Sequence, residues 1–195
     1  MQAIRSAAQE AAEDIFFGQS VVIWARWFVI ATATILMLWS SSAMNQIVLA
    51  ITLIVPLIAV NFFVHGRYLM EQPINRLLLI GLSLIDVAVI TLIVAFWQEP
   101  TGLFSPFYVL YFPVVLAFAF IFPARTSLPY TVLATLAFAA VALLDDLSIL
   151  GSSLNMERLV TRMITLAATG ALGAYYWRVQ RARRREAAAA EPVAG

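Results

Sequence analysis

The sequence predicts an all-α integral membrane protein, with six transmembrane helices joined by short loops. Hydrophobic residues make up 63% of the 195 residues and charged residues 12%, and the mean hydropathy is +0.90. Soluble domains are about half apolar and about a quarter charged. Six apolar runs also have roughly the 20 residues that a helix needs to cross a hydrocarbon core of about 30 Å. The runs are continuously apolar, without the alternation that is typical of a barrel strand.

In chain order, the predicted spans are residues 21–39, 47–64, 77–97, 105–122, 128–144 and 159–177. The fifth is the shortest. Pro56 lies inside the second span and Pro113 inside the fourth. Each proline is expected to leave a backbone carbonyl unbonded and to bend its helix. The connectors between spans are too short to form domains.

The segments at the two ends of the chain are predicted to be cytoplasmic. Residues 1–20 are expected to form a lead-in helix, because residues 2–17 place apolar and polar side chains on opposite sides of a helix. The bundle then occupies residues 21–177, and residues 178–195 form a basic tail. Residues 41–43 resemble a cleavage site, but no basic segment precedes the first span, so we expect that span to be retained.

The distribution of arginine predicts the orientation. Arginines near the span ends concentrate in the connectors after spans two and four and after span six, at Arg67, Arg76, Arg125, Arg178, Arg181, Arg183, Arg184 and Arg185. The alternate connectors carry Glu99, Asp145, Asp146 and Glu157 against Arg158 alone. Cytoplasmic loops are enriched in Lys and Arg. Both termini are therefore predicted to be cytoplasmic, in a bacterial inner membrane.

Asp86 is the most unusual residue of the chain, because it lies near the middle of the third span, about 13 Å along the helix. A carboxylate at this depth costs about 2.5–3.5 kcal/mol on insertion scales, so it is expected to face the bundle interior. Arg26 in span one and Arg162 in span six are the candidate partners, although neither is at the predicted depth of Asp86. Asp86 could be a switch, a proton site or a ligand anchor, or it could form a structural hydrogen bond.

Aromatic residues cluster at the start of the fourth span, at Phe104, Phe107, Tyr108, Tyr111 and Phe112. They could line a pocket for a lipid or another apolar molecule, or they could anchor the helix at the membrane interface. No cofactor is predicted. A metal site is not expected either, because the chain has one histidine, His65, and no cysteine.

Small residues in the sixth span recur at spacings of three and four, at Ala167, Gly170, Gly173 and Ala174. This spacing allows helices to approach each other closely in a membrane. The face they form could pack within the chain or against a partner.

Asp86 and the segment around Ser105-Pro106-Phe107 resemble the six-span input region of a group of bacterial sensor histidine kinases. In that group an aspartate midway along the third span precedes a loop of the form Gly-Gly-x-x-Ser-Pro-Phe and a span with Leu-Tyr and a proline. The matching residues here are Asp86, Gly102, Ser105, Pro106, Phe107, Leu110, Tyr111 and Pro113. Arg26-Trp27 is a further similarity, whereas Thr101 replaces the first loop glycine.

The resemblance implies a membrane module for sensing or regulation. Kinase domains would follow the last span in that group, and residues 178–195 leave no room for them, so we expect a non-enzymatic module that acts through a partner protein. The candidates for ligand binding or switching are Asp86, Arg26, Arg162, Ser105, Pro106, Tyr108 and Tyr111. Expected partners are the bilayer and another membrane or signalling protein, with a homodimer as one form; nothing indicates nucleic acid.

Two other functions fit the same sequence. One is a structural accessory subunit of a larger respiratory or photosynthetic electron-transfer complex, since tiny loops and no evident chemistry suit that role. The other is a small transporter, which depends on Asp86 alone; the sequence shows no internal repeat of the kind that many transporters have.

Overall fold

The computed structural model describes residues 2–40, 44–72, 74–97 and 100–190, with the side chains of 2–15, 17 and 184–190 left out of the description. These ranges contain helices and no strand, which confirms the all-α prediction. The helices are α1 (Gln2–Ser40), α2 (Met44–Leu69), α3 (Arg76–Phe96), α4 (Tyr111–Ile121), α5 (Ala124–Asp145) and α6 (Ser153–Ala190), with short 3-10 helices at Gly102–Phe104, Pro106–Leu110 and Leu147–Gly151.

Four helical segments are long and apolar enough to cross a membrane: Gly18–Ser40 of α1, and the whole of α2, α3 and α5. They coincide with the first, second, third and fifth predicted spans. The fourth predicted span is a 3-10 helix followed by the short helix α4. The sixth lies within α6, where arginine and many small residues lower the hydropathy.

The predicted lead-in helix and first span form one helix, α1, which has 39 residues and is about 58 Å long. No proline interrupts this stretch. At Gly18, near the expected boundary, the helix lies so close to α4 that an added Cβ would be 2.5 Å from Ile121. The predicted polar side of the lead-in helix lies outside the described side chains, as do residues 41–43 and 191–195.

Helix α4 is central to the bundle, because it packs against α1, α3, α5 and α6. Its apolar side chains are buried on several sides, with Val115 and Ala119 fully enclosed. Phe118 stacks on Tyr130 of α5 with ring centroids 3.8 Å apart. Helix α2, in contrast, packs chiefly on α1 and leaves many large apolar side chains exposed.

The two prolines do not act alike. Helix α2 continues through Pro56 without a break in its assigned helix. Pro113 lies in the first turn of α4, two residues after the change from 3-10 to α-helix at Tyr111. A proline in the first turn removes an N–H group that has no partner within the helix anyway. The expected bend inside span four is therefore replaced by this junction.

Two contacts fix which connectors lie together. The Arg76 guanidinium lies over the Phe122 ring, 5.4 Å from its centroid, which brings the α2–α3 and α4–α5 connectors to one end of the bundle. At the opposite end, the Thr101 hydroxyl donates a hydrogen bond of 2.8 Å to Asp145. The connectors that are rich in arginine thus lie at one end, and the acidic ones at the other.

Candidate functional site: a buried ion pair between α1 and α3

Arg26 of α1 and Asp86 of α3 form a bidentate ion pair inside the bundle. Arg26 Nε donates to both carboxylate oxygens, at 3.0 and 2.8 Å, and Nη2 donates to Oδ1 at 2.7 Å. Arg26 is only 4% exposed and Asp86 only 8%. Two parallel N–H groups matched to one carboxylate give the strongest type of protein hydrogen bond. The two residues are 60 positions apart in sequence, and their pairing joins α1 to α3.

Helical periodicity places both charges on buried faces. On α3 the buried positions are Leu79, Leu82, Ser83, Asp86, Val87, Ile90, Ile93 and Val94. On α1 they include Val22, Ile23, Arg26, Val29, Ile30, Ala33 and Met37. Each set follows the spacing of three and four residues that marks one face of a helix. The charged side chains therefore enter the bundle at facing positions, with apolar residues on either side along each helix.

Other hydrogen bonds lie close to the pair along α3. One turn before Asp86, the Ser83 carbonyl accepts a 2.9 Å hydrogen bond from the Tyr130 hydroxyl of α5. Beyond it, the hydroxyls of Thr91 and Tyr111 are 2.8 Å apart. These bonds tie α3 to α5 and to the start of α4, so that the helix carrying Asp86 is held from several sides.

A small cavity of about 20 Å³ adjoins the pair. Asp86 is the one polar residue that lines it, and the others are Val29, Ile30, Ala33, Leu53, Ile54, Leu57, Val89, Ile90, Ile93 and Leu110. This volume has room for about one water molecule. Arg26 Nη1 is buried and has no hydrogen-bond partner in the described part of the chain. The carboxylate is therefore bound by Nε and Nη2, and the two N–H groups of Nη1 remain without a partner among the described residues.

Arg162, the other candidate partner, does not contact Asp86. Its guanidinium lies over the Tyr108 ring, 3.9 Å from the centroid, and Nη1 donates to the Leu103 carbonyl. The sequence named both arginines as candidate partners of Asp86, and the structure pairs Asp86 with Arg26. Arg162 instead holds the α3–α4 connector against α6.

Ser105 and Pro106 organise that connector. Ser105 is fully buried, and its side-chain oxygen accepts from the Phe107 N–H at 3.3 Å. Pro106 occupies the first position of the following 3-10 helix, where its missing N–H costs nothing. Both residues therefore shape the local backbone.

Most rings of the aromatic cluster pack within the protein. Phe107 and Tyr111 are each only 1% exposed. Tyr108 contacts Phe112 and Phe138, with ring centroids 5.9 and 6.1 Å apart. These rings fill the space between α4, α5 and the connector, whereas Phe104 remains exposed.

Three of the small residues of α6 face other helices of the bundle, and the fourth faces outward. A Cβ on Gly170 would lie 2.2 Å from Thr131 of α5, and one on Gly173 would lie 2.6 Å from Ala119 of α4. Ala174 is also buried, whereas Ala167 is exposed. Gly170 and Gly173 therefore permit close packing within the chain, and Ala167 lies on the outer surface of the bundle.

Sequence reasoning missed two buried amides that tie α1 to its neighbours. Gln19 donates to the Val64 carbonyl and accepts from the Ile74 N–H, both at 3.2 Å. Asn61 donates to the Ile23 carbonyl at 3.4 Å. Both side chains are fully buried. The sequence feature that could have identified them is a single amide side chain in or beside an apolar run. Such an amide is expected to face other helices rather than lipid.

His65 lies beside the same helix pair, where Trp27 Nε1 donates to its Nδ1 at 3.5 Å. In the described ranges, no group of three or more His, Cys, Asp or Glu side chains is arranged to hold a metal.

Comparison of the chain with protein-family models, curated proteins and solved structures finds no match in any of the three. Function must therefore be inferred from the chemistry of the chain itself.

Proposed function

We propose that the chain crosses a bacterial cytoplasmic membrane six times and that both termini lie in the cytoplasm. The 3-10 helix Pro106–Leu110 and α4 form a continuous unit whose five and 11 residues rise about 26 Å in total. That is close to the hydrocarbon thickness of about 30 Å. Helix α6 has 38 residues, more than a span requires. The gathering of arginine-rich connectors at one end of the bundle supports the orientation.

Within this membrane the chain acts as a non-enzymatic sensory or regulatory module. The observation that carries the proposal is the buried Arg26–Asp86 pair, since ionisable groups inside membrane bundles are costly and commonly functional. The resemblance to kinase input regions, which includes both residues, points the same way. The pair would be the switch, with one state in which the carboxylate is paired and another in which protonation or a competing group releases Arg26.

The packing offers a route from this pair to the cytoplasm. Arg26 is on α1, α1 packs on α4, and α4 packs on α6. Helix α6 continues beyond Trp177 to Ala190. A change in the spacing of α1 and α3 would therefore reach a helix that projects from the cytoplasmic end, where a partner protein could bind.

The alternative is an accessory subunit of an electron-transfer complex. Its support is the large exposed apolar surface of α2, which includes Phe62 and Phe63, each about 60% exposed. Such a surface suits either lipid or neighbouring subunits. The transporter alternative has weaker support, because the cavity beside Asp86 has room for about one water molecule.

Purification of the tagged full chain from its native membrane in mild detergent, followed by mass spectrometry, tests the proposal. We expect a sensor kinase or response regulator to co-purify with the wild type, and the recovered ratio of partner to chain to change several-fold in Asp86→Asn. Glu157→Gln, which removes an exposed carboxylate elsewhere, is the matched control and should leave the ratio unchanged. Recovery in fixed stoichiometry with electron-transfer subunits, from all three forms, would instead establish the accessory role.

A further inference from the structure

Two arginines lie one turn apart near the start of α6, at the acidic end of the bundle. Arg158 and Arg162 are four residues apart, so their side chains leave the helix on the same face, with Cβ atoms about 5–6 Å apart. This end is the one proposed to face away from the cytoplasm, where cations near a span are uncommon. Two cations placed together at this position need an explanation.

Both guanidiniums lie over aromatic rings of the α3–α4 connector. Arg158 is 5.7 Å from the Phe104 ring centroid, and Arg162 is 3.9 Å from that of Tyr108. Such contacts attract a cation by about 0.5–2 kcal/mol but leave its charge uncompensated. The rings fix the positions of the two groups, so that both present charge on one side of α6.

Neither arginine has an acidic partner in the described part of the chain, where the single ion pair is Arg26–Asp86. Of the acidic groups described at this end, Glu157 is exposed and forms no ion pair, and the two aspartates bond to other residues. Asp145 accepts from the Thr101 hydroxyl, and Asp146 accepts from the side chain and N–H of Ser148. The bonds from Ser148 lower the pKa of the Asp146 carboxyl, which keeps it ionised. Positive charge at Arg158 and Arg162 thus remains free for an external anion.

The surroundings indicate which anion would bind. Leu154, one turn before Arg158 and on the same face of α6, has an exposed apolar side chain, and the exposed ring of Phe104 lies beside Arg158. Arg158 is exposed and Arg162 is partly buried one turn, about 6 Å, deeper along the helix. Two guanidinium groups beside exposed apolar side chains match a phosphate that carries acyl chains.

We propose that Arg158 and Arg162 bind an anionic phosphate group, that of a phospholipid headgroup in the outer leaflet. Free phosphate shares the recognition chemistry, because guanidinium binds both through paired N–H groups. The inference does not depend on the sensory role, and it holds equally for an accessory subunit.

Native mass spectrometry of the full chain, titrated with phosphatidylglycerol, tests this site. We expect the wild type to retain phosphatidylglycerol in preference to phosphatidylcholine. Arg158→Gln/Arg162→Gln should bind phosphatidylglycerol about tenfold or more weakly, since each charge near a headgroup contributes about 1 kcal/mol. Arg178→Gln/Arg181→Gln is the matched control, because it removes two arginines at the other end, one of which lies over the Trp177 ring. It should lower the affinity less than about twofold.

Two further measurements separate the possible outcomes. Arg158→Gln alone changes an exposed residue that lies over the Phe104 ring, so it tests the site if the double variant does not fold. Binding that resists excess inorganic phosphate identifies the lipid as the ligand, and displacement by inorganic phosphate identifies a soluble anion at the same site. Equal retention of phosphatidylglycerol by the 158/162 and 178/181 variants, or no preference over phosphatidylcholine in the wild type, would overturn the proposal.

Discussion

At the scale of single residues, the Arg26–Asp86 pair links the free-energy costs of burying two ions. Burying either ion alone in a poorly polar bundle is unfavourable by several kcal/mol, and three short hydrogen bonds between the two recover much of that energy. The cost of burying each charge therefore depends on the presence of the other. Removing one charge is expected to be far more damaging than removing both.

A double-mutant cycle in mild detergent measures this dependence. Arg26→Met and Asp86→Leu should each lower the free energy of unfolding by about 3–5 kcal/mol, because each leaves an uncompensated buried charge. The double variant should lose less than either single variant. The measurement is the free energy of unfolding from a denaturing-detergent titration.

The matched control combines Asp86→Leu with Arg162→Met. Since Arg162 contacts Tyr108 and Leu103 instead of Asp86, these two changes should be additive within about 0.5 kcal/mol. Additivity in the Arg26–Asp86 cycle itself would mean that the pair contributes no coupling energy.

Gly102 provides a second test at this scale, since its φ is +53° and an added Cβ would lie 2.5 Å from Asp145. Gly102→Ala should lower the free energy of unfolding by at least about 1–2 kcal/mol, the cost of placing an L residue in the left-handed region. Gly151→Ala is the control, because nothing lies within 4 Å of its added Cβ. Thermal unfolding of the two variants should differ clearly; equal midpoints would contradict the connector geometry.

The residues of the site could be chosen from sequence, but their pairing could not. A carboxylate inside an apolar run is a strong signal, and so are two arginines within predicted spans. Selecting Arg26 over Arg162 requires the lateral order of the helices, which hydropathy does not encode. Gln19 was missed because it precedes the predicted start of span one, where amides are ordinarily solvated.

At the scale of elements, the close packing of α6 on α4 and α5 depends on glycines in α6. Gly170→Ala would place a methyl group 2.2 Å from the Thr131 hydroxyl oxygen. Since overpacking a bundle costs about 1–3 kcal/mol, the free energy of unfolding should fall by that amount. Detergent-titrated unfolding of the purified chain is the measurement.

Gly81→Ala on α3 is the control for this substitution. No atom lies within 4 Å of its added Cβ, so helix propensity should make the change neutral or stabilising by up to about 1 kcal/mol. Adding Thr131→Ala to Gly170→Ala removes the two nearest atoms, Oγ1 and Cγ2, but leaves the Cβ at 2.8 Å, so it should recover part of the loss. Similar stability of Gly170→Ala and Gly81→Ala would contradict the close approach of α5 and α6.

Long apolar elements were predicted well because one physical quantity, hydrophobic length, determines them. The third span was expected at residues 77–97 and the helix is Arg76–Phe96. The start of the fourth was expected to be α-helical, and it is a 3-10 helix that begins at Pro106. Hydropathy does not distinguish these two backbones. It also could not show that α1 continues unbroken through residue 20, since the boundary was drawn where polarity changes.

At the scale of the whole molecule, the separation of charge between the two ends gives the bundle a direction. Arg76 and Phe122 mark one end, and Thr101 and Asp145 mark the other. The proposed switch, the route through α4 to α6 and the phosphate site all depend on the placement of these ends relative to the membrane. They also depend on whether α4 and α6 cross it.

Cysteine accessibility in intact cells is the most direct test of this six-span architecture, because the chain has no native cysteine. Leu150→Cys, Met70→Cys and Arg181→Cys place single thiols at exposed positions, and Ala134→Cys is a fully buried control. A membrane-impermeant maleimide should label Leu150→Cys in intact cells, label Met70→Cys and Arg181→Cys only after permeabilisation, and leave Ala134→Cys unmodified in the folded protein. Protection of Leu150→Cys until permeabilisation, or labelling of Arg181→Cys in intact cells, would contradict the crossing of α4 or α6 and with it the six-span bundle.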